Sequence, residues 1–216
     1  MDLGSSSLGI LETFACTPAL VALDAMEKAG AIRVVQAELN DFLGVVLKIA
    51  GSHADVQAAL AAGVAAAERM GGKPVAAQLP QVDPEAARAI HSAAEFNPLI
   101  QQAVVWGPGE APEWQPVSKG EPVASGEIQA LGFIETQGFT AVFEAIDTAC
   151  KAGNVEVVGK EKLGGGFVTV VIRGDVAAVK AAIEAGRTRV EGLGKLIAAH
   201  VIARPSASVL ALLPKM

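Results

Sequence analysis

The chain carries little aromatic mass. Aromatic residues make up 4% and tyrosine is absent, while hydrophobic residues reach 51%. The apolar content is therefore alanine, valine, leucine and isoleucine, small side chains suited to close backbone packing. Long apolar runs are missing too. A bilayer-spanning helix needs about 20 consecutive apolar residues. Lys48 and Asp55 interrupt one candidate, and His200 and Arg204 interrupt another. No Lys/Arg run interleaves with aromatics, and the net charge is -6. A nucleic-acid groove and a basic membrane-surface helix are both disfavoured. Two cysteines, Cys16 and Cys150, make neither a disulfide framework nor a zinc site. They read as small packing residues of a reduced, cytosolic protein. The first residues are short and polar, without a secretory apolar stretch. Disorder needs low hydrophobicity and high charge, and only 19% of residues are charged.

What is present is a duplication. With 216 residues, the chain could form one large domain or two small ones. Sliding it by 123 positions decides for two, because LGILET from Leu8 falls on LGFIET from Leu131. Asp24 falls on Asp147, Lys28-Ala29-Gly30 on Lys151-Ala152-Gly153, and Gly51 on Gly174. Without a gap, more than a third of positions 8–63 repeat. Two copies are too few for a solenoid, so each copy is expected to be a small domain.

Each copy reads as βαββαβ. In the second, residues 130–136 form an apolar strand, and Thr140 is the expected cap of a helix over 141–152 that stops at Gly153. In the first, Thr17 caps, Pro18 opens the helix and Gly30 ends it. Residues 155–158 and 167–173 are β-rich and flank Gly164-Gly165-Gly166, a hairpin signal. Asp175 opens a second helix, reaching about Gly192, and 196–202 form the last strand. Val179, Ile183, Gly186 and Val190 recur at helical spacing. The economical packing is α+β: two helices on one face of a four-stranded antiparallel sheet, a ferredoxin-like arrangement occurring twice in tandem.

The second copy also carries a continuous motif set: ALGFIET, DTACKAGNVEVV and KEKLGGGFVTVVIRGDVAAVKAAIEAG. It closely resembles the bacterial microcompartment shell domain, over about 130–205. The first copy resembles it over about 8–79 through LGILET, DAMEKAG and AGSHADVQAALAAG. A tandem of two is similar to the trimeric, pseudo-hexameric shell class, in the unpermuted order. The resemblance implies a non-enzymatic structural protein. It would form a homotrimer, tile with other shell proteins around cargo enzymes, and pass small metabolites through a central pore in a cytoplasmic microcompartment shell. A trimeric ligand-binding regulator with paired ferredoxin-like domains is the alternative.

The resemblance places Leu163, Gly164, Gly165 and Gly166 at the pore, with the aligned Asn40, Asp41, Phe42 and Leu43 from the first copy. Two loop types would then alternate around one axis. Three Asp41 carboxylates would make the hole hostile to anions; on composition alone Asn40-Asp41 is equally a hairpin turn. It also implies a tile-edge role for Lys28, Lys151 and Arg204. The first copy departs there, with Pro80-Gln81-Val82 aligned to Ala203-Arg204-Pro205.

No cofactor is expected. Some tandem shell proteins of this family hold an iron–sulfur cluster on the threefold axis, which needs cysteine in a pore loop. Residues 39–43 and 162–167 contain none. His53, His91 and His200 lack metal-ligand spacing, and the triple glycine lacks the Gly-Lys-Ser/Thr ending of a phosphate loop. Glu12 and Glu135 are one position seen twice, suited to packing or a backbone hydrogen bond. The expected organisation is a first domain over 8–83, a helix and linker over 84–128 holding Trp106 and Trp114, a second domain over 129–206 and a tail over 207–216.

Overall fold

The structure is a computed structural model describing residues 6–40, 43–83 and 129–214, with Asn40 as backbone only. Asp41, Phe42, both tryptophans, His91 and the helix expected over 84–95 lie outside the described residues. The first repeat runs β1 (Ser7–Phe14), α1 (Cys16–Ala29), β2 (Ile32–Asn40), β3 (Gly44–Gly51), α2 (His53–Arg69) and β4 (Val75–Leu79). The second runs β5 (Ala130–Gln137), α3 (Phe139–Ala152), β6 (Glu156–Gly164), β7 (Phe167–Gly174), α4 (Val176–Arg187) and β8 (Lys195–Ala203). A short helix α5 (Ala207–Ala211) follows. Each repeat folds its strands into one antiparallel sheet, in the orders β2-β3-β1-β4 and β6-β7-β5-β8. The tandem α+β, ferredoxin-like arrangement expected from the element order is the one observed.

Strand alternation gives each sheet two faces. On the helix side, Gly132 lies under Val179 and Ile183. Gly186 marks a close approach of α4. A β-carbon there would sit 2.6 Å from Ile134 Cδ1 and 2.7 Å from the Ala145 carbonyl oxygen. Only a residue without a side chain permits that approach. The stripe of Val179, Ile183, Gly186 and Val190 is buried as expected, although α4 ends at Arg187 and leaves Val190 in the following turns.

Two helix starts differ from the sequence reading. Thr17 and Thr140 lie inside the first turns, and the capping positions are Ala15 and Gly138. Both have positive φ, 71° and 127°, because strand passes into helix through one sharp bend. Neither offers a side-chain acceptor. Pro18 is accordingly the third helical residue rather than the first. Ser52 and Asp175 do cap their helices, accepting the N–H groups of Asp55 at 3.1 Å and Ala178 at 2.8 Å.

The outer face of the second sheet is not solvent-facing. Leu131, Phe133, Val171 and Ile202 join the core that holds Leu20, Leu23 and Met26 of α1. Val209 of α5 joins it as well. The repeats thus meet head to tail, the sheet of the second against the first helix of the first. Such heterologous contacts build rings when the rotation closes.

Candidate functional site

The two hairpin loops come together. Gly164, Gly165 and Gly166 have φ of 91°, 55° and 83°. Strand β6 runs to Gly164, so the loop is a tight turn that other residues would strain. A β-carbon on Gly165 would lie 3.0 Å from Leu43 Cδ2, which sets the second repeat's loop directly against the first repeat's. Leu43 takes φ of 62° at the position aligned with Gly166. Both loops are anchored alike: the Ala15 N–H donates to the Leu43 carbonyl at 2.7 Å, and the Gly138 N–H to the Gly166 carbonyl at 2.9 Å. Beneath them Phe14 meets Phe167 edge-on, with ring centroids 5.4 Å apart. Leu163 is buried and Asn40 ends β2, while Asp41 and Phe42 lie outside the described residues.

The second cluster lies at the corner between repeats. Lys28 Nζ donates to Asp24 Oδ2 at 2.5 Å and to the Ala203 carbonyl of the other repeat at 3.3 Å. Asp24 Oδ1 accepts the Ser206 N–H at 3.0 Å. Arg204, exposed at φ 49°, is the residue next to that Ala203. The structure therefore brings Lys28 and Arg204 to one corner. Lys151 occupies the aligned corner of the second repeat, where it pairs with Asp147 at 2.5 Å. The hydrogen bond to Asp147 raises the Lys151 pKa.

The residue with the most consequential placement is one that sequence reasoning assigned only to packing or a backbone contact. Glu135 is fully buried. Its Oε1 accepts the Cys16 N–H at 2.9 Å and its Oε2 the Thr17 N–H at 2.8 Å. A carboxylate from one repeat thus caps the uncapped helix of the other, where the helix dipole favours negative charge. Cys16 sits in the same seam, and burial, with Glu135 and Glu161 nearby, pushes its thiol pKa far up. It is a packing residue there, not a nucleophile.

Both repeats match the family model described as BMC domain, over residues 7–82 and 130–205. The chain belongs to the BMC-domain family. It carries two BMC domains in tandem. The bacterial microcompartment shell protein PduA of Citrobacter freundii is 52% identical over 76 residues, which is 35% of this chain and 82% of that protein. The shell protein EutM of Escherichia coli K12 is 48% identical over 65 residues, 30% of this chain and 67% of that one. The carboxysome shell protein CcmK2 of Synechocystis is 49% identical over 79 residues, 35% of this chain and 76% of that one. Each such match spans about one BMC domain of this chain. A solved microcompartment protein from Desulfitobacterium hafniense DCB aligns over 96% of this chain and 99% of its own, at 26% identity and a TM-score of 0.37. No helix among the described residues is long and apolar enough to cross a membrane.

Proposed function

We propose that this chain is a structural, non-enzymatic component of a bacterial microcompartment shell. Three copies close into a pseudo-hexagonal tile whose central pore passes small metabolites. What carries this reading is the contact between Gly165 and Leu43. Two aligned loops at one end of two head-to-tail repeats are what a sixth and its neighbour contribute around a single axis. The pore would be lined alternately by Gly164, Gly165 and Gly166 and by Asn40, Asp41, Phe42 and Leu43, with Leu163 of the same loop packed into the core. Backbone dipoles and a carboxylate ring would set its preference against anions. The rim would present Lys28, Lys151 and Arg204 to neighbouring tiles of this or other shell proteins, with cargo enzymes enclosed.

Electron microscopy of the purified chain tests the reading. Hexagonally packed sheets or tubes built from threefold particles are the expected outcome. Isolated particles at every concentration and ionic strength would overturn it. The pore assignment has its own measurement: flux of an anionic metabolite into reconstituted shells rises in Asp41→Ala. Unchanged flux with unchanged salt dependence would remove Asp41 from the pore.

A further inference from the structure

The duplication sets two rows of side chains side by side for comparison. On the outer side of the second sheet, Glu161, Thr169 and Glu135 are neighbours on β6, β7 and β5, and directly paired residues share a face. The aligned row of the first sheet is Glu38, Val46 and Glu12. That row has an ammonium built in: Lys48, buried on the same strand as Val46, holds Glu38 Oε1 at 2.6 Å. The second sheet has Val171 at the Lys48 position. Among the described residues neither Glu135 nor Glu161 has an ion pair. Hydroxyls stand there instead. Thr169 is 1% exposed and Thr17 0%, and neither hydroxyl has a hydrogen-bond partner among the described residues. Native proteins rarely keep a buried polar group unpaired. Thr17 gives its N–H to Glu135, and Thr169 lies between the two carboxylates. Burial raises the pKa of the adjoining Cys16 thiol most, and Glu135 and Glu161 add to it, whereas the Thr169 hydroxyl lowers it. Both carboxylates therefore act on the same spot. Glu161 Oε1 accepts the Lys162 N–H at 3.1 Å, and the Glu135 oxygens accept one N–H each. Each Glu135 oxygen thus keeps a lone pair.

We infer that a monovalent cation of the size of potassium or ammonium binds in this seam between the repeats. The Thr17 and Thr169 hydroxyls and the remaining Glu135 lone pairs hold it, with the Glu161 charge alongside. It does for the second sheet what the Lys48 ammonium does for the first. Charge favours a cation over an anion or a neutral water, because the carboxylates face only the partial positive end of α1. The donor set favours a single charge. Glu161 and Glu135 stand two strand spacings apart, about 10 Å along the sheet. Among the described residues no three His, Cys, Asp or Glu side chains come together as a metal site, which zinc or calcium would need. Thr17 belongs to the first repeat and Thr169 and Glu135 to the second, so the ion ties the two together. The site lies within one chain and does not depend on the trimer.

Thermal unfolding of the full chain at fixed ionic strength tests this, with choline chloride replaced stepwise by potassium or ammonium chloride. At least one of the two ions raises the midpoint saturably. The unfolding constant falls about 10-fold when that ion reaches ten times its dissociation constant. Thr169→Val, which installs the residue of the first sheet at Val46, removes the ion-specific gain, and Thr169→Ser keeps it. Crystals soaked in thallium(I), a heavy substitute for potassium, show an anomalous peak beside Thr169 Oγ1. Equal midpoints in all three salts overturn the inference and leave a buried water as the occupant. So does a gain that Thr169→Val retains in full. If Thr169→Val does not fold, the thallium experiment decides alone, and a seam without the peak overturns the site.

Discussion

Glu135 and Thr17 are 118 residues apart in the chain, yet the Glu135 carboxylate accepts the Thr17 N–H at 2.8 Å. That bond and its neighbour to Cys16 join the two repeats at a buried point where water cannot substitute. Removing the carboxylate leaves two helix-terminal donors unsatisfied. Glu135→Ala is expected to cost about 3 kcal/mol, with Glu135→Gln losing less because one acceptor remains. Urea denaturation of the two variants checks this. A loss below about 0.5 kcal/mol for the alanine variant, the range of ordinary surface changes, would contradict the role given to the seam.

Gly186→Ala tests the close approach of α4. Alanine improves helix propensity by about 1 kcal/mol, but its methyl meets the Ala145 carbonyl at 2.7 Å, a backbone atom that cannot step aside. Overpacking wins, and a net loss of about 1–3 kcal/mol is expected. A thermal midpoint at or above wild type would show that the helices separate freely.

His200 makes stability pH-dependent. It lies on β8 and is half-buried. Burial, and then Arg69 of the first repeat, hold its pKa below the ordinary 6.5, against the pull of Asp24. The unfolded chain therefore takes up a proton that the folded chain resists. Its contribution is intact above about pH 6.5 and is lost as pH falls below that value. Denaturation midpoints between about pH 5 and 8 should show this fall, and His200→Ala, the residue aligned in the first repeat being Ala77, should reduce it. Identical pH profiles would exclude His200 as the sensor.

Lys48→Val replaces a buried lysine with the residue that the second repeat carries at Val171. Lys48 pairs with Glu38 at 2.6 Å and with Gln36 at 2.9 Å on the outer side of the first sheet. An apolar replacement of a buried pair is often neutral or stabilising, and Glu38 retains access to water. Equal or slightly raised stability is expected in urea. A loss of more than about 2 kcal/mol, comparable to an unpaired buried charge, would show that the pair is needed.

Much of the fold was legible because duplication tests each local reading twice. Gly30 and Gly153 close the first helices of both copies, as their alignment indicated. The helix starts were misread for a physical reason. Threonine is a good cap by propensity, but the strand turns into the helix at Ala15 and Gly138, and at α1 the acceptor comes from the other repeat. No window around Thr17 contains Glu135. The short α5 was missed likewise. Ser206 caps it by accepting the Val209 N–H at 3.4 Å, yet Val209 reads as tail until α1 is there to receive it.

The scarcity of aromatics, the 123-residue offset and the paired LGILET and LGFIET strands determined, from sequence alone, two small α+β repeats of one family. Alternation and helical spacing are local properties, so each copy states them unaided. Tertiary structure decided what the repeats do to each other. It set Glu135 on the helix of its sibling, brought Gly165 against Leu43, and left Phe139, Phe143, Val75 and Leu79 uncovered. Those outcomes depend on which face of a sheet meets which helix, a relation between distant segments that no periodicity records.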